Sequence, residues 1–119
     1  MLKNPLSVIR AMCFIGWSDK EMSLEERRVI ECQIVALGLE GERLATARGY
    51  LDVVPVLSEI IIEDPADARY ALAMAVTVAC VDRQNNAIEV LDVLRLGEQL
   101  KLADHEIRQI TQAIEKSYA

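Results

Sequence analysis

Two short acidic stretches carry the side chains of this sequence that could bind a metal ion. Oxygen-bearing residues occupy positions one, three, five and eight of both stretches: Asp19, Glu21, Ser23 and Glu26 in the first, and Asp82, Gln84, Asn86 and Glu89 in the second. Hard cations bind six to eight oxygen ligands, so waters, backbone carbonyls or the other stretch would have to complete the shell. The pattern makes Asp19, Glu21, Glu26, Asp82 and Glu89 candidate ligands for a divalent cation such as calcium.

Helix capping explains part of the same pattern without a metal. Ser23 with Glu26, and Asn86 with Glu89, match the capping box, in which two side chains accept the backbone N–H groups left unpaired at a helix start. The positive end of the helix dipole also favours a carboxylate and opposes a cation placed directly at that end. Capping is therefore the first interpretation of these pairs, and metal binding is the second.

Hydrophobic spacing predicts that helices position the first stretch. Apolar residues recur every three or four positions over residues 5–17, which predicts a helix that ends just before the stretch. A second helix is expected to begin at Ser23 and to end at Gly38, because glycine readily adopts the left-handed conformation that closes a helix. A third helix is predicted over residues 40–51. The first stretch thus lies in the turn of a helix-turn-helix unit.

The second stretch is predicted to lie in a similar turn. Asp64 and Pro65 suit the start of a helix that continues through residues 70–81, which are almost entirely apolar. A helix of this composition is buried on most sides, so we expect it at the centre of the bundle. Two further helices are predicted to begin near Asn86 and at Asp104.

Residues 53–62 give a less regular pattern. β-Branched residues dominate this segment and would suit a strand, but the sequence offers no second strand to pair with it. We therefore predict a short helix begun by Asp52 and Pro55, with a strand as the alternative. The segment carries more apolar residues than one side of a short helix would bury. Val54 and Ile61 are therefore candidates for a contact surface that a dimer or a binding groove would cover.

Trp17 has two interpretations. It stands at the end of the first predicted helix, where packing in the core is the simpler explanation. An exposed tryptophan at this position would instead mark a surface for a partner, because tryptophan is enriched at interface hot spots.

An offset of 63 residues relates the two halves of the chain. Residues of the same kind keep register across this offset without a gap: Ile9 with Leu72, Ile15 with Val78, Gly16 with Ala79, Asp19 with Asp82, Glu26 with Glu89, Leu37 with Leu100, Leu39 with Leu102, and Leu44 with Ile107. One pair, Val35 with Glu98, is a mismatch of surface-sized residues. Unrelated helical hairpins would share apolar spacing but seldom the aspartate, the capping pair and their separation. The pattern predicts two repeated units, over about 6–44 and 69–107. They would form a single domain over 1–119, an all-α compact bundle of about seven helices.

Each unit resembles the apolar helix, the Ala-Asp-Gly-Glu-Ile-Ser-x-Glu-Glu turn and the second helix of TerB-like domains. The matching stretches are residues 18–26 and residues 81–89. These domains occur in bacterial tellurite-resistance proteins and near the start of a membrane-anchored DnaJ-type co-chaperone. The resemblance implies an all-helical fold, a role in stress response and metal binding at the acidic turns. Lys20 and Arg83 stand where the family has its turn glycine, and Gln84 replaces the acidic residue that follows.

Composition narrows the classes of function. The formal net charge is -6 and the basic residues are scattered along the chain, which argues against nucleic-acid binding. The chain begins without the charged-then-apolar layout of a signal peptide, and its longest uncharged run, residues 70–81, is too short to span a bilayer. We therefore expect a cytoplasmic protein without membrane insertion.

Little in the sequence suggests an enzyme. Cys13, Cys32 and Cys80 show no metal-ligand spacing, so buried thiols are expected. Neither a nucleophile-base pair nor a glycine-rich phosphate loop is recognisable. Two hypotheses remain. The first is a non-enzymatic bacterial TerB-like module of the tellurite or stress response that senses a divalent cation. The second is a metal-free interaction module or scaffold that binds a protein partner or forms a homodimer.

Overall fold

The computed structural model describes residues 2–18, 20–81 and 87–118, with the side chains of residues 87–89 left out of the description. The described residues form six α-helices, one 3₁₀ turn at Leu57–Glu59 and no strand: α1 Pro5–Gly16, α2 Leu24–Ala36, α3 Gly41–Tyr50, α4 Pro65–Val81, α5 Ala87–Gln99 and α6 Asp104–Ser117. None of these six helices has the length and hydrophobicity needed to span a lipid bilayer. The radius of gyration is 12.9 Å, near the value of about 13.5 Å expected for a compact domain of this length. The prediction of a compact all-α fold is confirmed.

α1 and α4 pack against each other at the centre of the molecule. Each helix has one fully buried side, formed by Val8, Ile9, Met12 and Ile15 on α1 and by Ala71, Leu72, Ala75 and Val78 on α4. The two alanines of α4 allow the helices to pack closely. Each fully buried isoleucine, leucine or methionine contributes about 1.5–3 kcal/mol of burial free energy. The expected central position of residues 70–81 is confirmed.

The outer helices surround this central pair. α2 and α3 pack against α1, while α5 and α6 pack against α4. Gly38 follows α2 with the predicted positive φ of 68°, and Lys101 follows α5 with a φ of 61°. These two positions lie 63 residues apart, as do the first residues of α2 and α5, and those of α3 and α6. The spacing equals the offset that relates the two halves of the sequence.

The start of α4 is capped as predicted. Oδ1 of Asp64 accepts hydrogen bonds from the backbone N–H groups of Ala66 at 2.8 Å and Asp67 at 3.3 Å. Oδ2 of the buried Asp67 accepts the backbone N–H groups of Lys3 at 2.7 Å and Asn4 at 2.8 Å. The chain segment before α1 is thereby fastened to the first turn of α4.

Residues 53–62 form neither the predicted short helix nor a strand. The 3₁₀ turn at Leu57–Glu59 interrupts an otherwise irregular, largely extended segment. Pro55 disfavours helical backbone at the residue before it, and the β-branched neighbours also favour extended conformations. Ile60 and Ile62 are buried while the isoleucine between them is exposed, which is the alternation of an extended chain. The described residues therefore contain six α-helices instead of about seven.

The cysteines lie in different environments. Cys13 on α1 and Cys80 on α4 are buried, as predicted. Burial raises the pKa of the Cys13 thiol to about 12, so this thiol stays protonated at neutral pH. Cys32 is exposed, and the expectation of burial is wrong for it. It lies on the outer side of α2, whose inner side is formed by Ile30 and Ile34.

Candidate functional site

The first acidic stretch is organised as the N-terminus of α2. The backbone N–H of Ser23 donates to Oε1 of Glu26 at 2.8 Å, and the backbone N–H of Glu26 donates to Oγ of Ser23 at 3.1 Å. Both halves of the capping box are present, as predicted. The side chain of Glu26 is almost fully buried, with 2% of the residue exposed. This carboxylate therefore has a structural role at the helix start.

The five candidate metal ligands are described only in part. Glu21 is exposed in the turn before α2, and Glu26 is buried at its start. Asp19 and Asp82 lie outside the described residues, and Glu89 is described only through its backbone in α5. Within the described part of the chain, no three histidine, cysteine, aspartate or glutamate side chains are grouped so that they could hold a metal ion.

Trp17 packs at the edge of the core. Its side chain is half-buried, and its indole Nε1–H donates to the carbonyl oxygen of Leu51 at 3.1 Å. This hydrogen bond connects the end of α1 to the end of α3. The polar edge of the indole is thus already engaged within the molecule.

Val54 and Ile61 are both exposed but lie in different depressions. Val54 lies beside Tyr50, whose ring is 5.2 Å from the guanidinium carbon of Arg10. Ile61 lines a separate cleft with the α5–α6 turn, which includes Leu102. The three residues predicted for an interaction surface therefore do not share one of these depressions.

A different surface, which we name the α4–α6 groove, is the strongest candidate for binding. It is an open apolar groove of about 500 Å³ between α4, α5 and α6. Its apolar lining comes from all three helices: Val76, Ala79 and Cys80 from α4, Val90, Val93 and Leu94 from α5, and Ile107 from α6. Val90 is 54% exposed and Leu94 is 44% exposed, although both are large apolar residues. Exposed apolar side chains over a buried floor are typical of a binding surface.

Close packing between α5 and α6 fixes one end of this groove. A Cβ atom added at Gly97 would lie 2.6 Å from both Cδ1 and Cγ1 of Ile107. The side chain of Ile107 is itself buried and lines the groove. Glycine at position 97 therefore allows α5 and α6 to approach each other closely.

The charged residues of the groove lie on its exposed rim. Of those that the structure describes, three are acidic and one is basic: Glu98 on α5, and Asp104, Arg108 and Glu115 on α6. None of these four side chains forms an ion pair within the described ranges. Oγ1 of Thr111, in the α6 wall, is buried and has no hydrogen-bond partner among the described residues. The groove thus combines an apolar interior with a rim of excess negative charge.

Sequence patterns predicted the helices that form this groove but not the groove. Val90, Leu91 and Leu94 lie in the helix predicted to begin near Asn86, and all three are exposed. One signal in the sequence could have revealed the surface. α5 also carries the buried residues Val93 and Leu96, so it has more large apolar residues than one face of a helix can bury.

No known protein family, curated protein or solved structure matches this chain.

Proposed function

We propose that this chain is a non-enzymatic interaction module that binds an apolar segment of a partner protein in the α4–α6 groove. The observation that carries the proposal is the exposure of Val90 and Leu94 above the buried α4 floor. Covering these side chains on binding removes apolar surface from water, which favours association. The apolar interior of the groove would supply most of the binding free energy, while the charged residues lie on the rim, as they do in protein–protein interfaces.

We further propose that the module is a TerB-like domain of the bacterial cytoplasm that serves in stress or tellurite response. The equal 63-residue spacing between helix starts supports the two-unit architecture predicted from the sequence offset, in which each unit resembles the TerB-like hairpin. Lys20 supports it as well, because it stands where the family has its turn glycine and has a φ of 71°. That conformation is one that glycine adopts most readily.

A peptide titration tests the proposed function. The probe is a synthetic peptide of about 14 residues with leucine at i, i+3, i+4 and i+7 and uncharged polar residues elsewhere. We expect it to shift backbone amide NMR signals of α4, α5 and α6. Leu94→Asp should weaken binding by about tenfold or more, because it places a charge in the apolar contact. Val54→Asp is the matched control, since Val54 is also exposed but lines another depression. Equal binding by Leu94→Asp and the unaltered protein would overturn the proposal.

The second candidate function is a response to a divalent cation at the acidic turns. Its support is the resemblance, together with the positions of Glu21 in the turn before α2 and of Glu26 at the start of α2. Glu26→Gln tests it, because glutamine keeps the capping hydrogen bond and removes the charge that a cation needs. A cation at ten times its Kd would stabilise the unaltered protein by about 1.4 kcal/mol. Calcium should then raise the melting temperature of the unaltered protein only. No change in either protein would leave capping as the role of Glu26.

A further inference from the structure

Resting on the proposed function, we infer that the α4–α6 groove binds a basic amphipathic helix of a partner protein, about three turns long. The chemistry of the walls, the length of the lining and the charge of the rim each restrict the occupant.

The walls of the groove favour a helical occupant over an extended one. They are formed by α-helices, whose backbone N–H and C=O groups are bonded within each helix. An extended peptide would therefore find no strand edge to pair with, and its own polar backbone would be left against apolar side chains. A helix satisfies its backbone internally and presents an apolar stripe to the groove.

The lining of α6 sets the length of the occupant. The residues that line the groove recur at spacings of three and four along one face: Asp104, Ile107, Arg108, Thr111, Gln112 and Glu115. At 1.5 Å per residue, the stripe from Asp104 to Glu115 extends for about 16 Å. That length matches about three turns of a helix that lies along it.

The rim sets the charge of the occupant. Glu98 and Asp104 flank the α5–α6 turn at one end of the groove, and Glu115 lies about three turns away along α6. Among the described residues that line the groove, Arg108 is the one basic residue. Lysine or arginine near both ends of the occupant would face these carboxylates, while acidic residues would be repelled. A second copy of this chain, with its net charge of -6, fits such a rim less well.

Two charge variants of the synthetic peptide test this inference. One carries lysine at the non-leucine positions near both ends, and the other carries glutamate at the same positions. We expect the lysine peptide to bind at least about tenfold more tightly at low salt, with the difference shrinking in about 0.5 M salt. Glu98→Gln/Asp104→Asn/Glu115→Gln should remove most of this difference and leave binding of the uncharged peptide intact.

The outcomes separate the two proposals. Equal affinity of both charged peptides, with binding that still depends on Leu94, would overturn the basic occupant and keep the groove as a binding site. Failure of all three peptides to bind would overturn the proposed function itself. A dimer of the unaltered chain that Leu94→Asp dissociates, measured by sedimentation equilibrium, would assign the groove to a second copy and overturn the inference.

Discussion

Gly38, which follows α2, and Lys101, which follows α5, have the same backbone conformation but different side chains. Both have a φ near +65°, at 68° and 61° respectively. This left-handed region costs a residue with a Cβ about 1–2 kcal/mol, whereas glycine adopts it freely. Lys101 and Lys20, with a φ of 71°, therefore each carry a backbone cost that Gly38 avoids.

Exchanging the residue types at these two positions should change stability in opposite directions. Lys101→Gly should raise the free energy of unfolding by about 0.5–1 kcal/mol, because the relief of backbone strain in the folded state outweighs the added conformational entropy of the unfolded chain. Gly38→Ala should lower it by about 1 kcal/mol, and nothing lies within 4 Å of the added Cβ to complicate the effect. Urea denaturation measures both changes. A stabilising Gly38→Ala would contradict this explanation.

The packing of α5 on α6 depends on one residue without a side chain. Gly97 lies in the interior of α5, where alanine would favour the helix by about 1 kcal/mol. Against this, the methyl group would meet the buried side chain of Ile107 at 2.6 Å. Overpacking of this kind costs about 1–3 kcal/mol, so the contact outweighs the helix propensity.

Gly97→Ala should therefore destabilise the protein by about 1 kcal/mol and weaken peptide binding in the α4–α6 groove, because Ile107 lines that groove. The matched control is Gly49→Ala on α3, where nothing lies within 4 Å of the added Cβ. That substitution should be neutral or stabilising by up to about 1 kcal/mol. Thermal unfolding and peptide titration of both variants make the comparison. Equal effects of the two substitutions on stability and binding would show that the contact between Gly97 and Ile107 does not require glycine.

Elements defined by local chemistry could be predicted from the sequence, and those defined by tertiary packing could not. The Ser23–Glu26 box and the Asp64 cap depend on residues within one turn, so their spacing alone identifies them. The extended course of residues 53–62 depends on burial of Ile60 and Ile62 against distant helices. The groove depends on how three helices pack, which no single helix pattern contains.

Across the whole molecule, two aspartates couple folding to pH with opposite signs. Hydrogen bonds from Lys3 and from the start of α4 lower the pKa of Asp64. Its ionised form therefore stabilises the fold above the usual aspartate range, and this contribution is lost as the pH falls through the lowered pKa. Burial raises the pKa of Asp92 despite its ion pair with Arg95 at 3.2 Å. Its protonated form favours the fold, and this contribution is lost as the pH rises through the raised pKa.

Neutralising the two aspartates should separate these effects. Asp92→Asn should raise the melting temperature at pH 7 by a few degrees, on the order of 1 kcal/mol, because a buried charge is removed. Asp64→Asn should lower it, since asparagine keeps the cap but loses the attraction of Lys3 and of the helix end. The Asp92 difference should shrink as the pH falls through the raised pKa of Asp92, whereas the Asp64 difference should persist to lower pH and shrink only as the pH falls through the lowered pKa of Asp64. Calorimetry from pH 3 to pH 7 measures them, and shifts of the same sign would contradict the assignment.

The irregular segment between α3 and α4 also divides the described residues into two parts with three α-helices each. Its exposed valines, Val53, Val54 and Val56, offer a protease an accessible backbone. A single cut there would leave one fragment with α1 and another with α4, the two helices that form the centre of the core. Their buried sides would hold the nicked halves together without a peptide bond. We therefore expect the protein to tolerate a split of the chain within this segment.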